Sequence, residues 1–373
     1  MPRLALALLP LLPLLHIGQA SSAPFNWTGP ANGSFWDLTR NWNDGTDGLP
    51  QAGDTVLLGS ADTRVRTAMT AATVTGTGRL ALEGGAHLTL SDGGRLGAAS
   101  LLQGQLTNNG RLVVVGPATW TSTPLLGTGV TRLEGATAIS GTDFDFSSSV
   151  LGGHTLELAG TTTFTGRRGM SVGAGGTLIN EGSWVDQAPA NVTLGNFNGG
   201  TGRFLNQGSF TKASNTRTLI GEGTSMVFES TGTVNVDAGY LRLSSSRVSS
   251  TGKVNIAAGA ELSLVSFDAT LGGSVLNEGT LSLDGGVLTI AGDLLVQGSG
   301  VTRVKSQVTN HSALRITGTV DWVESTLRGS GSTRMDGPVL LTGDRSRGVL
   351  GGQTVELAGT TTQVGTGGLS IGQ

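Results

Sequence analysis

Two pentapeptides, Gly169-Met-Ser171-Val-Gly173 and Gly368-Leu-Ser370-Ile-Gly372, fit the G-x-S-x-G pattern of a hydrolase nucleophile elbow. An elbow lifts its serine on a sharp strand-to-helix turn and needs a histidine and an acid from elsewhere in the chain. No helical periodicity follows either serine, apolar residues flank both, and the one histidine after Ser171 is His311. The pair therefore reads as strand alternation. Asp143 and Asp145 would share one face of a strand over Thr142–Phe146, a spacing suited to acid–base work on a glycan. Phe144 and Phe146 would take the opposite face, which fits an ordinary solvated strand edge better. Asn41, Asn43, Gly45 and Asp47 resemble the start of a calcium loop, but the glutamate that closes such a loop is missing, so a turn is expected. Trp27, Trp36 and Trp42 could stack on sugar rings; sealing the end of a repetitive core is the stronger reading. P-loop and dinucleotide patterns are absent, cysteine is absent, and the four histidines, with His16 in the leader, are far apart. The sequence thus assigns no catalytic residue, no metal ligand and no cofactor.

The chemistry is sparse, so the elements carry the information. Of 373 residues 62 are glycine, about 17% against a typical 7% or so. Charged residues make up 13%, and the formal net charge is −3. Nucleic acid is excluded as a partner, because clamping it needs clustered Lys and Arg on one face. Glycine shows no three-residue beat, so collagen is excluded. Low charge with 37% hydrophobic residues argues against disorder. From about Thr70 onward apolar residues alternate over short stretches, as in Leu80/Leu82, Leu156/Leu158, Leu241/Leu243 and Leu288/Ile290. Period-two alternation marks half-buried strands. Pairs such as Gly84-Gly85 and Thr231-Gly232 mark the turns between them. No segment carries a sustained 3.6-residue beat, so helix is expected to be nearly absent.

Two levels of repetition follow. A motif of apolar, any, Asn, any, Gly, any, apolar residues recurs around Asn108, Asn180, Asn206 and Asn277, with a degenerate copy at Asn310. It suggests a strand entering a corner, with Asn tolerating a left-handed backbone. The intervals of 72, 26 and 71 residues fit multiples of about 24, the length of one solenoid coil. Above this, 15 of 23 residues are identical between 151–173 and 350–372, and Trp120 echoes Trp322 at an offset of 202 rather than 199. The first copy continues into Asn180-Glu-Gly182, so the sequence is expected to be a fragment or truncated product, with any anchor or barrel lying beyond Gln373. On the order of 14 coils, spaced roughly 4.8 Å apart, would make a rod about 65–70 Å long. The expected fold is all-β, a right-handed parallel β-helix (β-solenoid) with an aromatic N-terminal cap. Residues 1–20 read as a signal peptide, 21–69 as the Trp-rich cap and 70–373 as solenoid repeats.

The leader has Arg3, an apolar run over Leu4–Leu15 and small residues at Gly18-Gln19-Ala20, which predicts export and no transmembrane helix in the mature chain. Beyond it, Phe25-Asn-Trp27-Thr-Gly29, Phe35-Trp36, Asn41-Trp42, Pro50 and Gly53-Asp54-Thr-Val56 follow in order. This arrangement resembles the first segment of many bacterial secreted β-solenoid proteins, including autotransporter-like and haemagglutinin-like surface proteins. The resemblance implies a surface-exposed or released passenger, often adhesive; no translocating barrel or sorting tail is visible here. The expected function is a non-enzymatic structural or adhesive surface, extracellular or on the outer cell surface, facing extracellular polysaccharide, host or matrix. The alternative is a carbohydrate-active β-helix enzyme, a polysaccharide lyase or glycoside hydrolase, which predicts a break in the repeat with converging acids or arginines. Ice or mineral binding would need a regular Thr array; Thr161-Thr-Thr163 and Thr360-Thr-Thr362 hint at one, but the spacing elsewhere is irregular.

Overall fold

A strand with one face in the core and one in water alternates inward and outward residues, and the chain does this almost throughout. In Thr155–Leu158, for example, Leu156 and Leu158 are buried while Thr155 and Glu157 face outward. The computed structural model describes residues 24–42, 48–141, 149–221 and 225–372. These residues form a parallel β-solenoid of about 15 turns, in which most turns lay one short strand on each of three walls. On the first wall Gln105–Asn108 pairs with Pro124–Leu126; on the second, Arg111–Val114 pairs with Val130–Leu133; on the third, Ala118–Thr121 pairs with Thr137–Ser140. Every strand-to-strand ladder described is parallel, as stacking successive coils requires. The ladder already runs through the Trp-rich segment, where Phe25 lies opposite Val56 and Val56 opposite Val74. The one helical element described is a single 3-10 turn, Thr39–Asn41. No helix among the described residues is long and apolar enough to cross a membrane.

Coil length varies more than the sequence intervals suggest. On the second wall, Leu112 to Thr131 takes 19 residues, Thr131 to Leu156 takes 25, and Leu178 to Phe204 takes 26. Further along, Phe228 to Val248 takes 20 and Ala269 to Leu288 takes 19. Loops at the corners absorb the difference, and the walls stay in register. The asparagine motif is therefore not a once-per-coil signal. Asn108 ends a strand on the first wall, Asn180, Asn206 and Asn310 on the second, and Asn277 on the third. The long duplication obeys the same rule. Thr155–Leu158 lies on the second wall, whereas its copy Thr354–Leu357 lies on the third, nine turns and one further strand along. What repeats is a strand with its corner, and any of the three corners can hold it.

Inside, the tube is filled by Leu, Val and Ile, with an aromatic column in the middle. Phe164 and Trp184 stack at 5.7 Å, Trp184 and Phe210 at 6.1 Å, and Phe204 meets Phe228 edge-on at 5.5 Å. At the corner between second and third walls, successive rungs approach too closely for a side chain. There Gly97, Gly116, Gly135, Gly160, Gly182, Gly208, Gly232, Gly252 and Gly273 sit one above another on nine successive rungs. From Gly116 onward, a methyl on any of these would collide with the carbonyl oxygen of the glycine one rung before it. That oxygen accepts the axial hydrogen bond from the residue after the next glycine, as in Ser209 N to Gly182 O (2.9 Å) and Thr233 N to Gly208 O (2.8 Å). The glycines are needed for clearance between rungs. Gly208→Ala should therefore destabilise the rod by about 1–3 kcal/mol through overpacking. Gly53→Ala, at a site with nothing within 4 Å of the added carbon, should be nearly neutral. Chemical denaturation followed by circular dichroism checks the pair; equal midpoints would remove the clearance argument.

Candidate functional site

The N-terminal tryptophans close the core. Trp36 and Trp42 are buried, Trp42 packs between Trp27 (5.0 Å) and Trp36 (5.1 Å), and its ring nitrogen donates to Trp36 O (2.8 Å). Trp36 and Trp42 thus offer no face to a sugar, and Trp27 keeps only part of one. Asn41 is buried as well, with Nδ2 donating to Ser34 Oγ (2.9 Å) and Phe35 O (2.8 Å), which uses it as an internal brace. Asn43, Gly45 and Asp47 lie outside the described residues, as do Asp143 and Asp145.

Ser171 stands in the middle of the strand Gly169–Val172 and is fully buried. Its hydroxyl donates to Asn198 Oδ1 (2.6 Å) and accepts from Phe197 N (3.2 Å). That geometry ties a loop to the first wall and is not an elbow. Ser370 sits in Leu369–Ile371 on the last rung. His311 lies on a rung well beyond Ser171 and shares a hydrogen bond with Ser330 (3.1 Å). Asp344 accepts from Thr366 Oγ1 (2.9 Å), and the backbone N–H groups of Asp344 and Arg345 both donate to Glu324 Oε1 (2.7 and 3.2 Å).

The asparagines of the corner motif have a different task from the one their type suggests. None is among the positive-φ residues; all five are buried at strand ends. Their amides donate inward across rungs, Asn108 to Val130 O (3.0 Å), Asn206 to Thr233 O (3.0 Å) and Asn310 to Ser332 O (2.8 Å). They satisfy carbonyls that the turning chain leaves inside the tube, where an unpaired acceptor costs about 1–3 kcal/mol. Two groups escaped the sequence reading altogether. Lys212 is buried, donates to Ser214 O and Oγ (both 2.6 Å) and Thr216 Oγ1 (3.2 Å), and lies one rung from buried Asp186. Burial pulls the Lys212 amine below its ordinary range, and Asp186 opposes the shift. The period-two rule places both inside, since they alternate with Trp184 and Phe210.

His154 is the other. It is fully buried, with Nε2 3.0 Å from Thr131 Oγ1, which also accepts from Asn108 Nδ2 (3.4 Å). The duplicated region rebuilds this network one wall round with a glutamine: the Gln353 amide bonds Thr333 Oγ1 (2.9 Å), which Asn310 Nδ2 also approaches (3.5 Å). Burial pushes the His154 imidazole down from 6.5 to about 4, against a smaller upward pull from the Asn108 backbone.

Outside, Arg132 gathers Glu181 (2.7 Å), Glu157 (3.0 Å) and Glu134 (3.3 Å), and Arg111 shares Glu157 (3.1 Å). Hydrogen bonds to Glu181 and then Glu157 raise the Arg132 pKa above its ordinary value. On the third wall, Thr161, Ser183, Ser209 and Thr233 stand in register on four successive rungs. Beside them runs a second outward column in which Asn255 Nδ2 donates to Asn235 Oδ1 (2.8 Å) and Asn235 Nδ2 to Thr211 Oγ1 (3.2 Å). Their separations along the chain, 22, 26 and 24 residues for the first column, hide the alignment.

These features define the class: an all-β parallel solenoid with an aromatic cluster at its N-terminal end and polar columns along its outside. Compared with protein-family models, curated proteins and solved structures, the chain matched none.

The neutral, buried His154 makes a pH prediction. An unfolded chain binds a proton at this site near pH 6.5, whereas the folded chain resists until about pH 4. Stability from this site is present above pH 6.5 and is lost as pH falls towards 4, by about 3 kcal/mol in all. His154→Gln, the residue that the second network already carries, should hold its neutral-pH stability and shed that part of the acid sensitivity. Thermal melts of both proteins between pH 7.5 and 4 check it; parallel pH profiles would exclude His154 as the source.

Proposed function

We propose that the chain is an exported, non-enzymatic β-solenoid that adheres to extracellular polysaccharide, host or matrix surfaces through its outward walls. The observation that carries this reading is the pair of in-register hydroxyl and amide columns on the third wall, running from Thr161 to Thr233 and from Thr211 to Asn255. Strand rungs repeat about every 4.8 Å, so such columns present the same polar groups many times to a partner that is itself repetitive. Weak contacts repeated along one rod add through effective concentration. The leader at Met1–Ala20 supports export, and the order of tryptophans after it supports kinship with secreted surface solenoids.

Glycan-array binding, run beside a lyase and hydrolase screen on the same polymers, tests the reading. Binding without turnover is expected, and Ser209→Asp in the middle of the first column should weaken it by about fivefold or more without changing the circular dichroism spectrum. Turnover of any polymer would replace the adhesive reading with an enzymatic one. Expression in a Sec-competent bacterium should release a protein whose N-terminus is Ser21; retention of Met1 would remove export from the proposal.

A further inference from the structure

The outer surface near the N-terminal end holds a trough of about 780 Å³ that crosses four successive rungs. Three steps of about 4.8 Å make it roughly 14 Å long, and its volume falls within the range of small-ligand sites, about 300–1,000 Å³. The corner is bare because Gly59, Gly76, Gly97 and Gly116 line it, and at Gly76, Gly97 and Gly116 an added carbon would collide with the preceding rung. Leu57 and the half-exposed Val115 supply apolar contact, and Ser60, Thr75 and Thr77 supply hydroxyls. Arg95 is the charged residue of the lining. On nearby rungs Arg64, Arg66, Arg79 and Arg111 each pair with a carboxylate. Arg95 is exposed, and its side chain makes no ion pair or hydrogen bond among the described residues. On the rung after Val115 and Gly116 stands the Arg132–Glu134 ion pair (3.3 Å), and the lining stops short of it.

From this arrangement we infer that the trough binds a stretch of uronate-bearing polysaccharide, laid along the rod axis with one ring carboxylate on the Arg95 guanidinium. A planar guanidinium matches a carboxylate with two parallel hydrogen bonds, which a lysine or a neutral donor does not reproduce. Pyranose rings have apolar C–H faces for Leu57 and Val115 and edge hydroxyls for Ser60, Thr75 and Thr77. The side-chain-free floor lets a linear polymer lie close to the backbone. Axial placement follows from the lining, which takes its residues from four successive rungs stacked along the axis. This inference rests on the adhesive reading and names the polymer class for one part of the surface.

Polygalacturonate is the probe, with its fully methyl-esterified form as the uncharged twin, each titrated against the full chain by calorimetry. Polygalacturonate should bind and the ester should bind about tenfold more weakly or worse. Arg95→Gln should lose a similar factor, whereas Arg328→Gln, which removes the same charge far along the rod, should bind like the parent. Equal binding of acid and ester, or an Arg95→Gln protein that binds like the parent, overturns the trough assignment and leaves the adhesive reading intact. No binding of polygalacturonate overturns it too; the glycan array then decides the adhesive reading separately.

Discussion

The axial hydrogen bond between rungs sets the terms for everything else in this molecule. It holds neighbouring strands about 4.8 Å apart, and at the corner between second and third walls that distance is shorter than a side chain tolerates. Nine stacked glycines from Gly97 to Gly273 are the result. Because the corner is bare, the backbone can turn sharply and re-enter the next wall already in register. Because register is kept, inward residues fall above inward residues, and a continuous core of Leu, Val, Phe and Trp forms with no α-helix among the described residues to cover it. The high glycine content is therefore in large part a spacing requirement imposed by stacking.

A tube with a closed hydrogen-bonded wall still has polar atoms pointing inward where it bends. The corner asparagines answer that need, and the His154 and Gln353 networks show that one site can be filled in two ways. Both residues reach Thr131 or its counterpart Thr333, and both are shielded from water. They differ in acid, because the imidazole can gain a proton and the amide cannot. Lys212 and Asp186 are a costlier solution, since each is buried and each relies on neighbouring hydroxyls.

Alternation in stretches such as Leu156/Leu158 was enough to read strands, and glycine pairs were enough to read turns, so the solenoid was legible. The tryptophan order signalled a cap, and Trp36 and Trp42 seal the core as that order suggests. Two inferences needed the third dimension. Asparagine is so often a left-handed turn residue that Asn108 and Asn206 were read that way, although their backbones are ordinary and their amides do the work. The intervals of 72 and 71 residues looked like three coils of 24, but each covers three turns and one further strand of shorter coils. Surface features were the least legible. Leu57, Thr75, Arg95 and Val115 are 18 to 20 residues apart in the chain, and nothing local marks them as neighbours. Loops of unequal length likewise disguise the column from Thr161 to Thr233.

The shift of the duplicated segment by one wall has a geometric outcome for attachment. Thr161 and Thr163 look out from the third wall on either side of the buried Thr162, and their copies Thr360 and Thr362 are exposed on the first. Two like patches on one rod that face different ways cannot both lie flat on the same sheet of material. They can each hold a different one. Under the adhesive function proposed above, the rod would have the valency of a strut between two surfaces, where an in-phase duplication would have produced a double foothold on one.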